Sequence, residues 1–237
     1  MTIQDRIQQV ERRIEDACLR SGRKRDEIGV VAVTKYVSLE RTKEAYESGL
    51  RHLGENRWQD AEAKWRTLNE ESPVEDSPIW HFIGSLQSRK AKDVLGKFHF
   101  IHSLDRLSLA EAIHKQAVKL NVIVSCFIQV NVSGEESKHG IEPAELQGFL
   151  GALKEYPTIK PIGLMTMAPY ELEAEAARPV FRSLRELRDE MLATGAADET
   201  FSQLSMGMSG DFEVAIEEGA TWIRLGSILV GKEEDEL

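Results

Sequence analysis

Lys35 follows the run Val30-Val31-Ala32-Val33-Thr34, which reads as an apolar strand delivering an amine from hydrophobic surroundings. Such surroundings disfavour an ammonium, and an amine eased toward its neutral form is the nucleophile that condenses with a carbonyl to a Schiff base. Strand-end lysines also serve simply as snorkelling surface groups, so Lys35 alone decides nothing. Two later segments add to it. Ser205-Met206-Gly207-Met208-Ser209-Gly210-Asp211 gathers serines and glycines into one turn, able to present N–H groups and hydroxyls to an anion. Arg224-Leu225-Gly226-Ser227 adds a guanidinium and a glycine that permits close backbone approach. A phosphate cradle opposite a Schiff-base lysine describes either pyridoxal phosphate or a phosphorylated sugar held by an aldolase. Arg224 favours the first. A pyridine nitrogen facing a permanent cation stays unprotonated, whereas the strongest electron-sink chemistry places a carboxylate there.

These residues need a scaffold that brings strand ends together. Ile3, Ile7, Val10, Ile14 and Cys18 recur at helical spacing and stop at Ser21-Gly22, an amphipathic helix ahead of the first strand. Strands then alternate with helices: Val30 to Thr34 and Leu39 to Ser48, His52 to Glu55 and Arg57 to Leu68, Ile79 to Gly84 and Ser88 to Leu95. Phe98 to His102 and Asp105 to Leu120 follow, then Val122 to Val132 and Pro143 to Leu153, Ile159 to Met165 and Glu171 to Leu192. Gln203 to Met206, Phe212 to Gly219 and a last strand Trp222 to Leu225 complete about eight units, the count of a (β/α)8 TIM barrel. Neither G-x-G-x-x-G nor G-x-x-x-x-G-K-[ST] occurs, which counts against a doubly wound nucleotide-binding sheet. In a barrel, chemistry collects at the C-terminal strand ends. Read off in order these are Lys35, Asn56, His81 with Ser85, Ser103, Asn131 with Ser133, Met165 with Thr166, Ser205 with Ser209, and Arg224 with Gly226, a polar ring.

The remainder of the chain excludes more than it assigns. A formal charge of −10, from 40 acidic and 30 basic residues with the basic ones scattered, argues against a nucleic-acid surface. Apolar runs are strand-sized and the N-terminus lacks the pattern of a signal peptide, so no membrane span and a cytoplasmic location are expected. Cys18 and Cys126 read as reduced packing residues, and His52, His99, His102 and His114 show no metal-ligand spacing. His81 is a satisfied strand histidine or a hydrogen-bonding group near the site, and His139 a lid contact or an exposed loop residue. Asn69 to Pro78 reads as a surface loop, and the end from Glu233 as a frayed acidic tail on a single domain.

The ordered motifs Val31-Ala32-Val33-Thr34-Lys35, Gly54-Glu55-Asn56, His81-Phe82-Ile83-Gly84-Ser85-Leu86-Gln87, Ser133-Gly134-Glu135-Glu136-Ser137-Lys138-His139-Gly140, Gly163-Leu164-Met165-Thr166-Met167 and Leu204-Ser205-Met206-Gly207-Met208-Ser209 carry a resemblance over almost the whole chain. They resemble the pyridoxal phosphate homeostasis proteins of the YggS/PROSC type, relatives of the alanine racemase N-terminal barrel. The resemblance implies pyridoxal 5′-phosphate (PLP) as cofactor, bound to Lys35, with Ser209, Gly226 and Ser227 around the phosphate and Arg224 near the pyridine nitrogen. Ser205, Asn56 and Met165 are carried over to the same pocket. It further implies storage or delivery of the cofactor, with PLP-dependent apo-enzymes as partners, rather than efficient catalysis. A monomer is expected, because no exposed apolar helix face stands out. Two departures from the family pattern are Ser88-Arg89-Lys90, where an asparagine more often precedes the lysine, and Lys232 after the final glycine. The likeness stops at the barrel, so racemisation would lack the second base that a racemase's further domain brings. A slow racemase or decarboxylase is the enzymatic alternative.

Overall fold

Eight parallel strands pair in sequence order and close on themselves: β1 (Gly29–Val33), β2 (His52–Glu55), β3 (Ile79–Phe82), β4 (Phe100–Leu104), β5 (Val124–Gln129), β6 (Ile159–Met165), β7 (Gln203–Ser205) and β8 (Trp222–Leu225). The structure is a computed structural model and describes residues 1–71, 76–135, 139–169 and 173–231. The helices are α1 (Ile3–Ser21) before the barrel, then α2 (Leu39–Glu47), α3 (Trp58–Glu71), α4 (Ala91–Val94), α5 (Leu107–Leu120), α6 (Leu146–Leu153), α7 (Arg178–Ala193), α8 (Phe212–Glu217) and α9 (Ser227–Val230).

The added helix α1 starts where the Thr2 hydroxyl accepts the Asp5 N–H and the Asp5 carboxylate accepts the Thr2 N–H, satisfying two otherwise orphaned donors. It buries Ile3, Val10, Ile14, Ala17 and Cys18 and stops at Gly22, whose φ of 68° is left-handed. Its polar side ties to α8 through a two-pronged Arg13–Glu213 contact at 2.9 and 2.7 Å.

Several element bounds differ from the sequence reading. The strand expected from Phe98 spans Phe100–Leu104, and the one expected over Val122 to Val132 is confined to Val124–Gln129, with Val130 bridging Ile141 beyond it. The helix expected from Glu171 begins at Arg178, preceded by a 3-10 turn at Ala174–Ala177, and Pro179 sits in its first turn, where a missing N–H costs nothing. The loop expected from Asn69 starts later, since α3 continues to Glu71. Residues 72–75, the centre of the loop from 133 to 140 at 136–138, and the tail from 232 lie outside the described residues.

Alternation along each strand separates two buried surfaces. Toward the barrel axis point His52, His81, His102, Phe127, Ser205, Trp222 and Arg224, linked to one another by hydrogen bonds or ring contacts. Trp222 fills the lower end, and Gly29 makes room for it: a Cβ there would lie 2.4 Å from the indole ring. Leu53 and Glu55, of opposite parity on β2, are fully buried on the other side. There the Glu55 carboxylate accepts the Thr34 hydroxyl at 2.7 Å and Lys64 Nζ at 3.0 Å, and Lys64, from α3, also donates to the Thr34 carbonyl at 2.7 Å. Burial pushes the Glu55 carboxyl up, with Lys64 and Thr34 opposing. This knot ties α3 to the chain immediately before Lys35.

Removing one member of a buried ion pair leaves the other charged and unpaired, which costs about 3–5 kcal/mol. Lys64→Met is expected to destabilise the fold by that amount, read as a lowered urea midpoint with an unchanged slope. An unaltered midpoint would mean that the pair does not form.

Candidate functional site

β1 ends at Val33, so Lys35 lies in the turn that follows, closed by the Val37 N–H donating to the Thr34 carbonyl at 3.1 Å. Its side chain is half-buried, and its Nζ lies 4.8 Å from the centre of the exposed Tyr36 ring. No carboxylate among the described residues forms an ion pair with it. The amine is therefore held by its own turn and by an aromatic face.

The neighbouring strand is β8, in register Val31 with Arg224 and Ala32 with Leu225. This closure brings the two ends of the chain's functional sequence together. A Cβ on Gly226 would meet only Val33, at 3.8 Å or more, leaving open space over the backbone between β1 and β8. The Gly226 N–H donates to Ser209 Oγ at 3.3 Å, joining the Gly/Ser turn after β7 to the end of β8. Ser227 is exposed and opens α9 directly after Gly226. Gly207, with φ 92°, fixes the turn, since a Cβ would lie 2.6 Å from that of Ala215 and 3.1 Å from the Phe212 backbone. Its carbonyl accepts the Arg224 N–H at 3.0 Å. At the other end of the turn the Asp211 carboxylate accepts the Met208 N–H at 2.6 Å.

Arg224 is 4% exposed. Its NH1 donates to Ser205 Oγ at 2.7 Å and its NH2 to the Thr166 carbonyl at 3.0 Å. Burial pushes the guanidinium down to about 10, with Asp211 pulling the other way, so it stays charged at neutral pH. Burial in turn raises the Asp211 carboxyl, opposed by the Met208 N–H and by Arg224. Met165 is buried in an apolar cluster with Phe127 and Ile162, one residue before Thr166, whose hydroxyl donates to the Val130 carbonyl at 3.0 Å. Asn56 Oδ1 and Ser103 Oγ, at the ends of β2 and β4, are buried without a hydrogen-bond partner.

The structure thus pairs Ser205 with Arg224 and Ser209 with Gly226, and sets Lys35 in the turn that follows the adjacent strand β1. Asn56 instead lines a cavity of about 440 Å³ with Arg57, Ser85, Gln87 and Lys90, on the β2–β3 side of the mouth. Glu55, the acid that ends β2, faces the helices and cannot serve as an acid–base partner in the aldolase alternative. His81 is a satisfied strand histidine, one of the two roles expected of it. It lies inside the barrel, fully buried, bonded at 2.9 Å to both His52 and His102. His52 and His102 show no ligand spacing along the chain, yet both meet His81 across strands. His139 is exposed, and its carbonyl accepts from Gln129 Nε2 at 3.2 Å. Both cysteines are buried and free.

The donor set fits PLP. An amine with no ion pair among the described residues suits the aldehyde, an open backbone flanked by Ser209 and Gly226 suits a phosphate, and a charged guanidinium suits a ring-nitrogen lone pair.

Comparison with known proteins gives the same direction. Residues 3–234 match the family model described as alanine racemase, N-terminal domain. A pyridoxal phosphate homeostasis protein of Aquifex aeolicus is 45% identical over 228 residues, 96% of this chain and 97% of that one. A protein of that name from Pseudomonas aeruginosa is 38% identical over 97% of this chain and 95% of its own. Among solved structures, PipY of Synechococcus elongatus with PLP bound superposes with a TM-score of 0.81 at 34% identity, covering 97% of this chain and all of that one. Clostridium difficile alanine racemase, at 15% identity and a TM-score of 0.70, covers 95% of this chain and 56% of its own, a likeness of fold.

Gly207→Ala should force a left-handed residue and a backbone clash on the turn, costing on the order of 1–3 kcal/mol. The expected result is a lower thermal midpoint. A midpoint equal to that of the parent would show that the turn relaxes freely and does not fix Ser209.

Proposed function

The chain belongs to the pyridoxal phosphate homeostasis proteins, within the family of the alanine racemase N-terminal domain, and on that footing we propose that it binds PLP as a Schiff base on Lys35 and keeps the cofactor in reserve for other proteins. The observation that carries this reading is the setting of Lys35: an amine with no ion pair among the described residues, in the turn after the strand paired with β8, which leads into Gly226 and its contact to Ser209. PipY, its relative from Synechococcus elongatus, is described with PLP bound.

Each residue has a task in this reading. Lys35 forms the covalent link. Ser209, Gly226 and Ser227 receive the phosphate through hydroxyls and backbone N–H groups. Arg224, held by Ser205 and Thr166, donates toward the ring nitrogen, while Met165 packs below and Asn56 borders the pocket. PLP supplies an electron sink to amines bound on its aldehyde, strongest when the ring nitrogen is protonated. A guanidinium leaves that nitrogen unprotonated, which supports holding over turnover. The protein therefore acts as a carrier rather than an efficient enzyme, and PLP-dependent apo-enzymes are its natural recipients. Buried, unpaired cysteines accord with a reducing cytoplasm, and we place it there as a monomer.

The purified protein incubated with PLP should show a near-visible absorbance band that borohydride bleaches, leaving a pyridoxyl group on Lys35 by peptide mapping. Lys35→Ala is expected to lose the band and keep the fold, because a half-buried mouth lysine adds little to the core. A band of parental intensity from that variant would remove Lys35 from its assigned role, and a protein that takes up no PLP would defeat the carrier reading.

A further inference from the structure

Inside the barrel, below the mouth, lies an unbroken line of polar contacts that ends on Arg224. His52 Nδ1 is 2.9 Å from His81 Nε2, His81 Nδ1 is 2.9 Å from His102 Nε2, and His102 Nδ1 is 2.8 Å from Ser205 Oγ. Ser205 Oγ is in turn 2.7 Å from Arg224 NH1. Each inner ring thus spends both nitrogens within the line. A neutral imidazole has one donor nitrogen and one acceptor, so fixing the role of one atom fixes all the others.

Arg224 fixes it. A guanidinium only donates, so Ser205 Oγ accepts from it, and the hydroxyl's own proton needs an acceptor. Among the described residues the one within reach is His102 Nδ1. Ser205 therefore donates to His102, which donates from Nε2 to His81, which donates from Nε2 to His52. The reverse order would bring two donors onto Ser205 Oγ and leave a buried hydroxyl proton unbonded. A second argument agrees with the first. In the forward order every imidazole turns its lone-pair side toward Arg224, so head-to-tail dipoles present their negative ends to the cation; reversed, they would repel it. A protonated ring would break the order, and burial holds His81 and His102 well below the usual histidine range, with Arg224 adding to the effect at His102.

We propose that His52, His81 and His102 are positioning residues: a one-way relay of neutral Nε2–H imidazoles that, through Ser205, holds Arg224 charged and aimed for the ring nitrogen of the cofactor. The relay takes the place of a carboxylate beside a buried cation. Asp211 acts on Arg224 by charge and commits an oxygen to the Met208 N–H. The clause about the ring nitrogen rests on the PLP reading above; the relay itself does not.

The test begins with long-range proton–nitrogen correlation spectra of PLP-free protein carrying nitrogen-15 histidine. The expected pattern is three neutral rings, each protonated at Nε2, for His52, His81 and His102. An Nδ1–H tautomer or an imidazolium at any of them overturns the relay, whether or not the protein binds PLP. Ser205→Ala, which keeps all three histidines, should release His102 to a mixture of tautomers; an unchanged His102 would show that Arg224 does not set the order. PLP titration then reads the consequence. His102→Gln keeps one acceptor and one donor and should bind PLP as the parent does, whereas His102→Leu should bind about tenfold more weakly, with a shifted absorbance band. Equal affinity and spectrum in the Leu variant would refute the positioning role. Parental protein that fails to bind PLP would count against the carrier reading alone, because the tautomers are read without the cofactor.

Discussion

A guanidinium taken out of water must find oxygen or nitrogen lone pairs inside the protein or forfeit several kcal/mol. Arg224 meets this demand at the centre of a closed barrel, with Ser205 and the Thr166 carbonyl as its direct acceptors. Most of what is unusual about the interior follows. A TIM-barrel core is ordinarily layers of branched apolar residues. Here a layer of histidines stands beneath the arginine, packed against Trp222, Phe100 and Phe127, with the His81 and Phe100 rings stacked at 4.6 Å. Imidazole suits the position because it fills aromatic volume while carrying a lone pair, which neither Phe nor Leu can do.

The outer layer solves a similar problem by the opposite means. Between β1, β2 and α3 the fold buries a carboxylate and an ammonium, Glu55 and Lys64, and uses the pair to hold the Thr34 carbonyl. Strand alternation keeps the two devices apart: the outer pair fixes the turn that presents Lys35, and the inner line carries no carboxylate into the space beside the amine. Glu55, turned outward, spends an oxygen on the Thr34 hydroxyl and on Lys64, next to the turn that carries Lys35. The polarity of one strand thus bears on the chemistry of its neighbour.

The same alternation explains what could be read without coordinates. Ile159–Met165 and Trp222–Leu225 were legible to the residue, because apolar runs bounded by turn residues leave little freedom. Lys35, the Ser205 to Asp211 turn and Arg224 stood out only in combination, as an amine, an anion-binding turn and a guanidinium at neighbouring strand ends. The histidine line was not legible. His81 pairs in register with Gly54, two residues beyond His52, and Phe100 pairs with His81, two residues before His102. Each histidine therefore sits one inward position further along than its predecessor's partner, the stagger that closure of a barrel imposes. Spacing along the chain, 29 residues and then 21, carries no trace of it. The late start of α7 was hidden for a different reason, since charged and apolar residues from Glu173 onward suit a 3-10 turn as well as an α-helix.

The barrel shares its fold with alanine racemase, and the arginine-centred polar line inside it bears on the carrier role proposed above. Binding PLP requires an amine, a phosphate cradle and a flat space between them; turnover additionally requires a base placed at the substrate and control of the ring nitrogen's proton. The proposed role for Arg224 opposes protonation of that nitrogen, and the line beneath it commits hydrogen-bond donors to one direction, away from the mouth. With His81 and His102 neutral and both ring nitrogens of each occupied, neither offers a free lone pair to a proton arriving at the mouth. The interior polar groups are thereby spent on holding a cation still, a use that accords with the proposed carrier role.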